Sequence, residues 1–150
     1  MSTSWNDYID SLMSTNLLNT CAIVGSSDGK IYASTKGFKL TVHPAFSKNE
    51  KGEKKEFIVD EYHQLKELFP SGKNDKLPNS VYLNGIKYVV LEVDDGRAHL
   101  KCENGGATVH KTLKCYVIGT YMNHDDPKKT GGNCNSIIEE FGEQLIKANY

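Results

Sequence analysis

The sequence predicts an α+β domain, built as one antiparallel sheet of about seven short strands with helices packed on its faces. Apolar residues recur at helical spacing near both ends of the chain, and short strand-like apolar runs lie between them. Asn-Gly and Asp-Gly dipeptides separate several of these runs, which is typical of antiparallel hairpins. The 150 residues and 38% hydrophobic content suit a single domain over 1–150.

The amino-terminal segment predicts a helix followed by a hairpin. Residues 4–15 form an amphipathic pattern in which Ser4 caps the helix and Asp7 stands in the capping-box position. Cys21–Gly25 and Lys30–Ser34 then predict two short strands joined by an Asp-Gly turn.

The next segment predicts an exposed loop and a second helix. Residues 41–56 are polar and rich in Lys and Glu, so we expect a solvated loop there. We expect a helix over 55–69 because apolar residues recur at three- and four-residue steps, at Ile58, Tyr62, Leu65 and Phe69. Pro70-Ser71-Gly72 is expected to end that helix.

Five strands and a final helix complete the predicted fold. The strands are expected at 81–83, 88–91, 98–102, 107–110 and 115–121. A longer connection then leads to a helix over 133–149, whose core face carries Ile137, Ile138, Phe141 and Leu145.

Composition excludes several classes of protein. Lys and Arg (18) nearly balance Asp and Glu (19), so a globally basic nucleic-acid binder is not expected. No run approaches the ~18 apolar residues of a membrane span. The first residues lack the pattern of a signal peptide, and the four cysteines are widely separated. We therefore expect a cytoplasmic protein with reduced thiols.

No motif of a catalytic or cofactor site is present, so no catalytic residue, metal or cofactor is expected. Cys21 and Cys115 lie in apolar strand runs, where a free cysteine is usually a small core residue. No two histidines stand at ligand spacing, and His99 and His110 are expected at the surface of their strands.

Aromatic residues near the two ends of the chain have two interpretations. If the terminal helices lie side by side, Trp5, Tyr8, Leu145 and Tyr150 form one aromatic shelf, to which Tyr32 contributes from below. Such a shelf suits proline-rich ligands, because aromatic rings stack on pyrrolidines and their N–H and O–H groups donate to free carbonyls. Spacing alone favours the alternative, in which Trp5 and Tyr8 are core residues of an amphipathic helix.

The residues at both ends resemble the profilin family. Trp5–Met13 and Cys21–Gly25 with its hairpin are similar to the amino-terminal signature of profilins. Gly131–Asn135, leading into the last helix, and the end at Tyr150 are similar to the carboxyl-terminal one. The resemblance covers nearly the whole chain, although 41–56 is longer than in typical members. It implies a central antiparallel sheet with both terminal helices on one face.

The resemblance also implies two binding surfaces. One is a groove for proline-rich segments, such as those of formins, formed by Trp5, Tyr8, Tyr32, Gln144, Leu145 and Tyr150. The other binds monomeric actin and comprises Leu83, Lys87, Val90, Lys101, Lys129, Thr130, Gly131, Gly132, Asn135 and Glu140. Tyr32 stands where the family usually has Trp, and Gln144 replaces an aromatic residue or His.

These implications lead to a first hypothesis and two rivals. The first is a non-enzymatic regulator of actin filament assembly in the cytoplasm and cytoskeleton, with phosphoinositide lipids as further ligands. A small-molecule sensor or trafficking adaptor is the second hypothesis, because similar sheet-and-helix domains serve those roles. A Cys-dependent enzyme is the third.

Overall fold

The computed structural model describes residues 4–70, 76–94, 96–123 and 126–150. Three helices and nine strands are found in these ranges. In chain order they are α1 (Trp5–Met13), β1 (Thr20–Gly25), β2 (Ile31–Ser34), β3 (Val42–Lys48), β4 (Lys54–Asp60), α2 (Glu61–Glu67), β5 (Ser80–Leu83), β6 (Ile86–Asp94), β7 (Arg97–Cys102), β8 (Gly105–Lys111), β9 (Cys115–Met122) and α3 (Gly131–Lys147).

Seven strands form one antiparallel sheet in the order β2-β1-β9-β8-β7-β6-β5. The predicted α+β class and the number of strands in this sheet are therefore confirmed. Within it, the first strand, β1, pairs with the last strand, β9, so that Thr20 lies opposite Thr120 and Gly25 opposite Cys115. This pairing brings the two ends of the chain together.

Helices cover both faces of the sheet, and the alternation within β1 shows why. Cys21 and Ile23 point to the face that carries α1 and α3, whereas Ala22 and Val24 point to the α2 face. All four side chains are fully buried. Apolar residues at consecutive positions of this strand therefore stabilise two cores, and the terminal helices share one face as the resemblance implied.

Helix α1 begins as its sequence predicts. The Ser4 side chain accepts from the Asp7 N–H at 3.2 Å, and the Asp7 carboxylate accepts from the Ser4 N–H at 3.1 Å. This capping box satisfies two backbone donors that would otherwise have no partner at the helix start.

The predicted loop over 41–56 and the predicted helix start near residue 55 are both wrong. Strands β3 and β4 form a two-stranded hairpin there, and α2 begins only at Glu61, with Asp60 as its N-cap. Ile58 lies in the strand, so its helical spacing from Tyr62 was coincidental. The hairpin lacks a clear alternation of apolar and polar residues because most of its side chains face solvent.

A buried carboxylate attaches this hairpin to the rest of the fold. Glu61 is fully buried and accepts from the N–H groups of Asn84 at 2.6 Å and Gly85 at 2.9 Å. Its Oε2 also lies 3.1 Å from the Thr41 hydroxyl and 2.9 Å from His43 Nε2. Glu61 thereby ties the base of the hairpin to the predicted Asn-Gly turn between β5 and β6.

Two predicted boundaries include residues that lie outside the described ranges, namely the helix stop at Ser71-Gly72 and the Asp95 position of the β6–β7 turn. Among the described residues, no helix is both long and apolar enough to cross a membrane.

Candidate functional site

Four aromatic rings from different parts of the chain meet at one place on the α1 and α3 face. The ring of Trp5 lies 5.8 Å from that of Tyr8, 5.3 Å from that of Tyr32 and 5.1 Å from that of Tyr150, centroid to centroid. We call these four residues the aromatic cluster. The structure thus brings together four of the six residues predicted for the proline-rich groove.

Each ring of the cluster is positioned by a different local feature. Trp5 opens α1 directly after its capping box, and Tyr8 follows about one turn later. Tyr32 comes from the edge strand β2 and lies across Gly25, where an added Cβ would stand 2.6 Å from the Tyr32 hydroxyl. The lack of a side chain at Gly25 therefore leaves room for the Tyr32 ring.

Tyr150 is positioned by the turn between β8 and β9. The chain leaves α3 through Asn149, which has a φ of +69°, and Tyr150 N–H donates to Leu145 O at 2.9 Å. The backbone oxygen of Tyr150 accepts from the Thr112 hydroxyl at 2.9 Å and from the Lys114 N–H. Lys114 Nζ also lies 5.8 Å from the centre of the Tyr150 ring, within the range of a cation–π contact.

The other two predicted groove residues occupy different environments. Leu145 is 2% exposed and forms part of the core beneath the cluster, whereas Gln144 is exposed on α3. Phe141, which the sequence placed only on the core face of α3, packs edge-on against Tyr8 with centroids 5.1 Å apart. Leu145 and Phe141 therefore lie beneath the cluster and support its rings. Their helical spacing in the sequence is that of any core residue, so it does not reveal this role.

The cluster offers flat ring surfaces together with hydrogen-bond donors. Tyr32 and Tyr150 are 37% and 40% exposed, and Trp5 and Tyr8 are half-buried. Loss of hydration, followed by the nearby Asp28 carboxylate, raises the pKa of Tyr32 above its ordinary value of 10.0. Its hydroxyl is therefore protonated at neutral pH and available to donate.

A second exposed surface lies on the same side of the sheet, beyond α3. Val89 and Leu91 of β6 are 52% and 61% exposed, and Val89 lies directly opposite Lys101 in the register of β6 and β7. Lys87 is also exposed there. These residues line a cleft of about 480 Å³ together with Cys102 and Glu103. We call Lys87, Val89, Leu91 and Lys101 the strand patch.

Two residues predicted for the second binding surface do not have exposed side chains in this region. Leu83 is fully buried in the core on the α2 face. Val90 packs against the same core and lies opposite Leu100, on the face of the sheet away from Lys87. Side chains alternate between the two faces, so the exposed neighbours of Val90 are Val89 and Leu91, which are not among the residues predicted for this surface.

The start of α3 supplies the remaining residues of that predicted surface. Thr130 is the N-cap, and its hydroxyl oxygen accepts from the Asn133 N–H at 3.2 Å. Lys129, Gly131 and Asn135 are half-buried, and Gly132 and Glu140 are exposed. Asn135 also accepts a hydrogen bond from the Thr108 hydroxyl, which joins this first turn to the sheet.

Polar contacts to the sheet hold α3 between the two surfaces. Arg97 contacts Glu143 at 3.0 Å, and His99 Nε2 lies 3.2 Å from Glu139. His110 Nε2 lies 3.6 Å from Glu143. His110 is 2% exposed, so its predicted surface position is wrong. The helix covers this histidine, which a strand pattern by itself does not reveal.

The thiols are arranged as core residues. Cys21, Cys115 and Cys134 are buried and reduced. Burial raises the pKa of Cys21 to about 12 and that of Cys134 to about 11, which opposes formation of a nucleophilic thiolate. Among the described residues, no group of three or more His, Cys, Asp or Glu side chains is arranged to hold a metal ion.

Comparison with known proteins agrees with the fold described above. The family model for profilin matches residues 3–150. Profilin IA of Acanthamoeba castellanii shares the fold with a TM-score of 0.72, at 24% identity over 98% of this chain and 100% of that one. LokiProfilin2, solved in a complex with rabbit actin, gives 0.70 at 19% identity over 98% of each chain.

Mouse profilin IIa, solved with a double repeat from the FH1 domain of mDia1, gives a TM-score of 0.67 at 17% identity over 99% of this chain and 100% of that one. At such identities the structures establish the shared fold, whereas the family match extends over almost every residue. The family model matches residues 3–150, and the seven-stranded sheet with both terminal helices on one face agrees with it, so this chain belongs to the profilin family.

Proposed function

We propose that this protein binds monomeric actin and proline-rich protein segments on two separate surfaces and thereby regulates the assembly of actin filaments. The observation that carries the proposal is the aromatic cluster, in which Trp5 contacts the rings of Tyr8, Tyr32 and Tyr150. The chain acts by binding, and we place it in the cytoplasm with the cytoskeleton.

The aromatic cluster fits a proline-rich segment for physical reasons. A polyproline II helix is already extended and has no internal hydrogen bonds, so its carbonyl groups are free and little entropy is lost on binding. Exposed rings of Tyr32 and Tyr150 provide stacking faces, and phenol and indole groups provide donors. The mouse profilin solved with FH1 repeats supports this assignment.

The strand patch and the first turn of α3 form the proposed actin surface. It combines the exposed apolar side chains Val89 and Leu91 with the charges of Lys87 and Lys101. A mixed surface of this kind, apolar at its centre and charged at its edge, is typical of protein–protein interfaces. The side chain of Leu83 is buried and is therefore not part of the proposed actin surface. The structure of LokiProfilin2 in complex with rabbit actin supports the proposal that this protein binds actin.

The two proposed surfaces lie at different ends of α3. This helix has 17 residues, so its ends are about 25 Å apart. Tyr150 follows one end, and Lys129 and Thr130 precede the other. One molecule can therefore hold actin while it docks on a proline-rich assembly factor such as a formin. Tethering would raise the effective concentration of actin at that factor without any chemical step.

The first test is a titration with poly-L-proline that follows intrinsic fluorescence, because Trp5 is the sole tryptophan. We expect a saturable change in the native chain. Trp5→Ala should abolish binding when it is measured by calorimetry, and Leu91→Ser on the strand patch should leave it intact. A folded native chain that binds no poly-L-proline by either method would contradict the proposal and favour the sensor or adaptor hypothesis.

A further inference from the structure

The β3–β4 hairpin presents one face that no described helix or strand covers. Side chains leave this face at every second residue of β3, and Val42 and Phe46 are 66% and 63% exposed there. Pro44 lies between them, and Ile58 of β4 stands opposite Pro44 with 66% of its surface exposed. We call Val42, Pro44, Phe46 and Ile58 the hairpin stripe.

The stripe has no role in holding the hairpin to the body of the protein. The other face of the hairpin does that, because Ala45 and Val59 are buried there and His43 contacts Glu61. Apolar side chains that gather on one exposed face of a monomer, rather than being scattered singly, indicate a surface that another molecule covers.

Charges at the two ends of the stripe have opposite signs. At the base of the hairpin, Asp60 lies directly opposite Val42, and at the far end Lys48 lies opposite Lys54. Directly opposed residues share one face of a sheet, so an acidic end, an apolar middle and a basic end follow one another along the same face. Glu56 stands opposite Phe46 within the middle, and the turn at 49–53 carries both signs.

We infer that the hairpin stripe packs against the same stripe of a second copy of this chain, with the two hairpins running in opposite directions. A two-fold axis lying across the strands places Asp60 of one copy over Lys54 of the other, and Phe46 over Pro44. The same axis places Lys48 over Val42 and Glu56 over Ile58. The alternative, with hairpins in the same direction, places lysines over lysines and is disfavoured by their repulsion. Charge therefore selects the antiparallel arrangement.

The size of the face predicts a weak dimer. Strands of seven residues are about 23 Å long and ~4.8 Å apart, so two such faces bury well under the ~1,200 Å² of a standard interface. We expect a dissociation constant of about 0.1–1 mM, typical of a transient association. The proline-rich and actin surfaces proposed above are not needed for this contact.

Sedimentation equilibrium of the full chain from about 10 µM to about 1 mM tests the proposal. The average mass should rise from 16.7 kDa toward twice that value. Phe46→Ser with Ile58→Ser should keep it at the monomer mass. Leu91→Ser is the matched control, because it removes a similarly exposed apolar side chain from the strand patch and should leave association unchanged. A native chain that stays monomeric throughout would overturn the proposal.

The antiparallel arrangement has its own test. Lys54 and Asp60 belong to the same strand and are about 20 Å apart within one chain, so a zero-length carbodiimide cross-link between them must join two copies. We expect this cross-linked peptide in the native protein and its loss in Asp60→Asn. Asparagine is as good an N-cap as aspartate, so α2 is preserved. Concentration-dependent association without this cross-link would reject the antiparallel arrangement.

If actin rather than a second copy covers the hairpin stripe, the same variants give a different set of results. If the native chain remains monomeric and the Phe46→Ser, Ile58→Ser variant loses affinity for actin, the stripe belongs to the actin surface and the dimer proposal is wrong.

Discussion

The buried hydroxyl of Thr112 donates to the backbone oxygen of Tyr150 at 2.9 Å. The N–H of Lys114 donates to the same oxygen. The last ring of the aromatic cluster is therefore held by the β8–β9 turn as well as by α3. This contact makes the geometry of the proposed groove depend on a residue that no ligand needs to touch.

Replacing Thr112 by Val should weaken binding of poly-L-proline about 5- to 10-fold, since losing one such hydrogen bond costs about 1 kcal/mol. Thr112→Ser is the matched control and should bind like the native chain because it keeps the hydroxyl. Calorimetric titration measures both. Thr112 also bonds to Cys115 within the turn, so actin affinity and thermal unfolding are measured alongside. Unchanged poly-L-proline affinity in Thr112→Val would show that binding does not depend on the hydrogen bond between Thr112 and Tyr150.

Tyr32→Trp should tighten binding of poly-L-proline. A larger ring on the exposed edge strand adds stacking area, worth about 0.5–1.5 kcal/mol or about 2- to 10-fold in affinity. Tyr32→Phe separates the contribution of the ring from that of the hydroxyl and should bind a few-fold more weakly. The prediction fails if Tyr32→Trp weakens binding while the protein remains folded.

Lys129→Glu should reduce actin affinity about 5-fold or more and leave poly-L-proline affinity unchanged. The substitution reverses one charge beside the first turn of α3, far from the aromatic cluster. Lys36→Glu, an exposed site between β2 and β3, serves as the control for net charge. Equal loss of actin binding in both variants would point to a general electrostatic effect.

Gly142→Ala should destabilise the fold by about 1–3 kcal/mol, as expected for an overpacked core. A Cβ at this position would overlap Nδ1 of the buried His110 ring and stand 2.7 Å from its Cγ. Gly132→Ala, in the same helix but with open space around its Cβ, should be neutral or stabilising by up to ~1 kcal/mol. Chemical denaturation compares the two. Similar stability of both variants would mean that the His110 ring can move aside at little cost in free energy.

Stability should fall as the pH rises above about 9. The pKa of Cys21 is raised by burial from 9.0 to about 12, so the unfolded chain releases this proton first. Unfolding is then favoured progressively between those values, by at most ~1.4 kcal/mol per pH unit for one group. Cys21→Ala should flatten this dependence in denaturation series at pH 8–10. An unchanged slope in that variant would assign the effect to other groups, such as the buried Cys134, whose pKa is raised from 9.0 to about 11.

Much of the fold follows from local patterns in the sequence. The capping box at Ser4 and the Asn-Gly turn at residues 84–85 depend only on residues that are close together in the sequence. Strand β1 is apolar at consecutive positions because both of its faces are buried. The β3–β4 hairpin was not predicted, because solvent surrounds most of its side chains and no periodic pattern results. Glu61 and His110 were also not recognised as buried, since the groups that cover them come from distant segments.

The sequence by itself determined the α+β class, the start of α1 and the residue types from which the aromatic cluster is built. Only the tertiary structure decided that Trp5 and Tyr150 touch, that Val89 rather than Val90 faces solvent, and that Leu145 lies beneath the groove. The physical reason is that capping, turns and periodicity depend on neighbours along the chain. Convergence of the two ends depends on the pairing of β1 with β9 and on the shared face of α1 and α3.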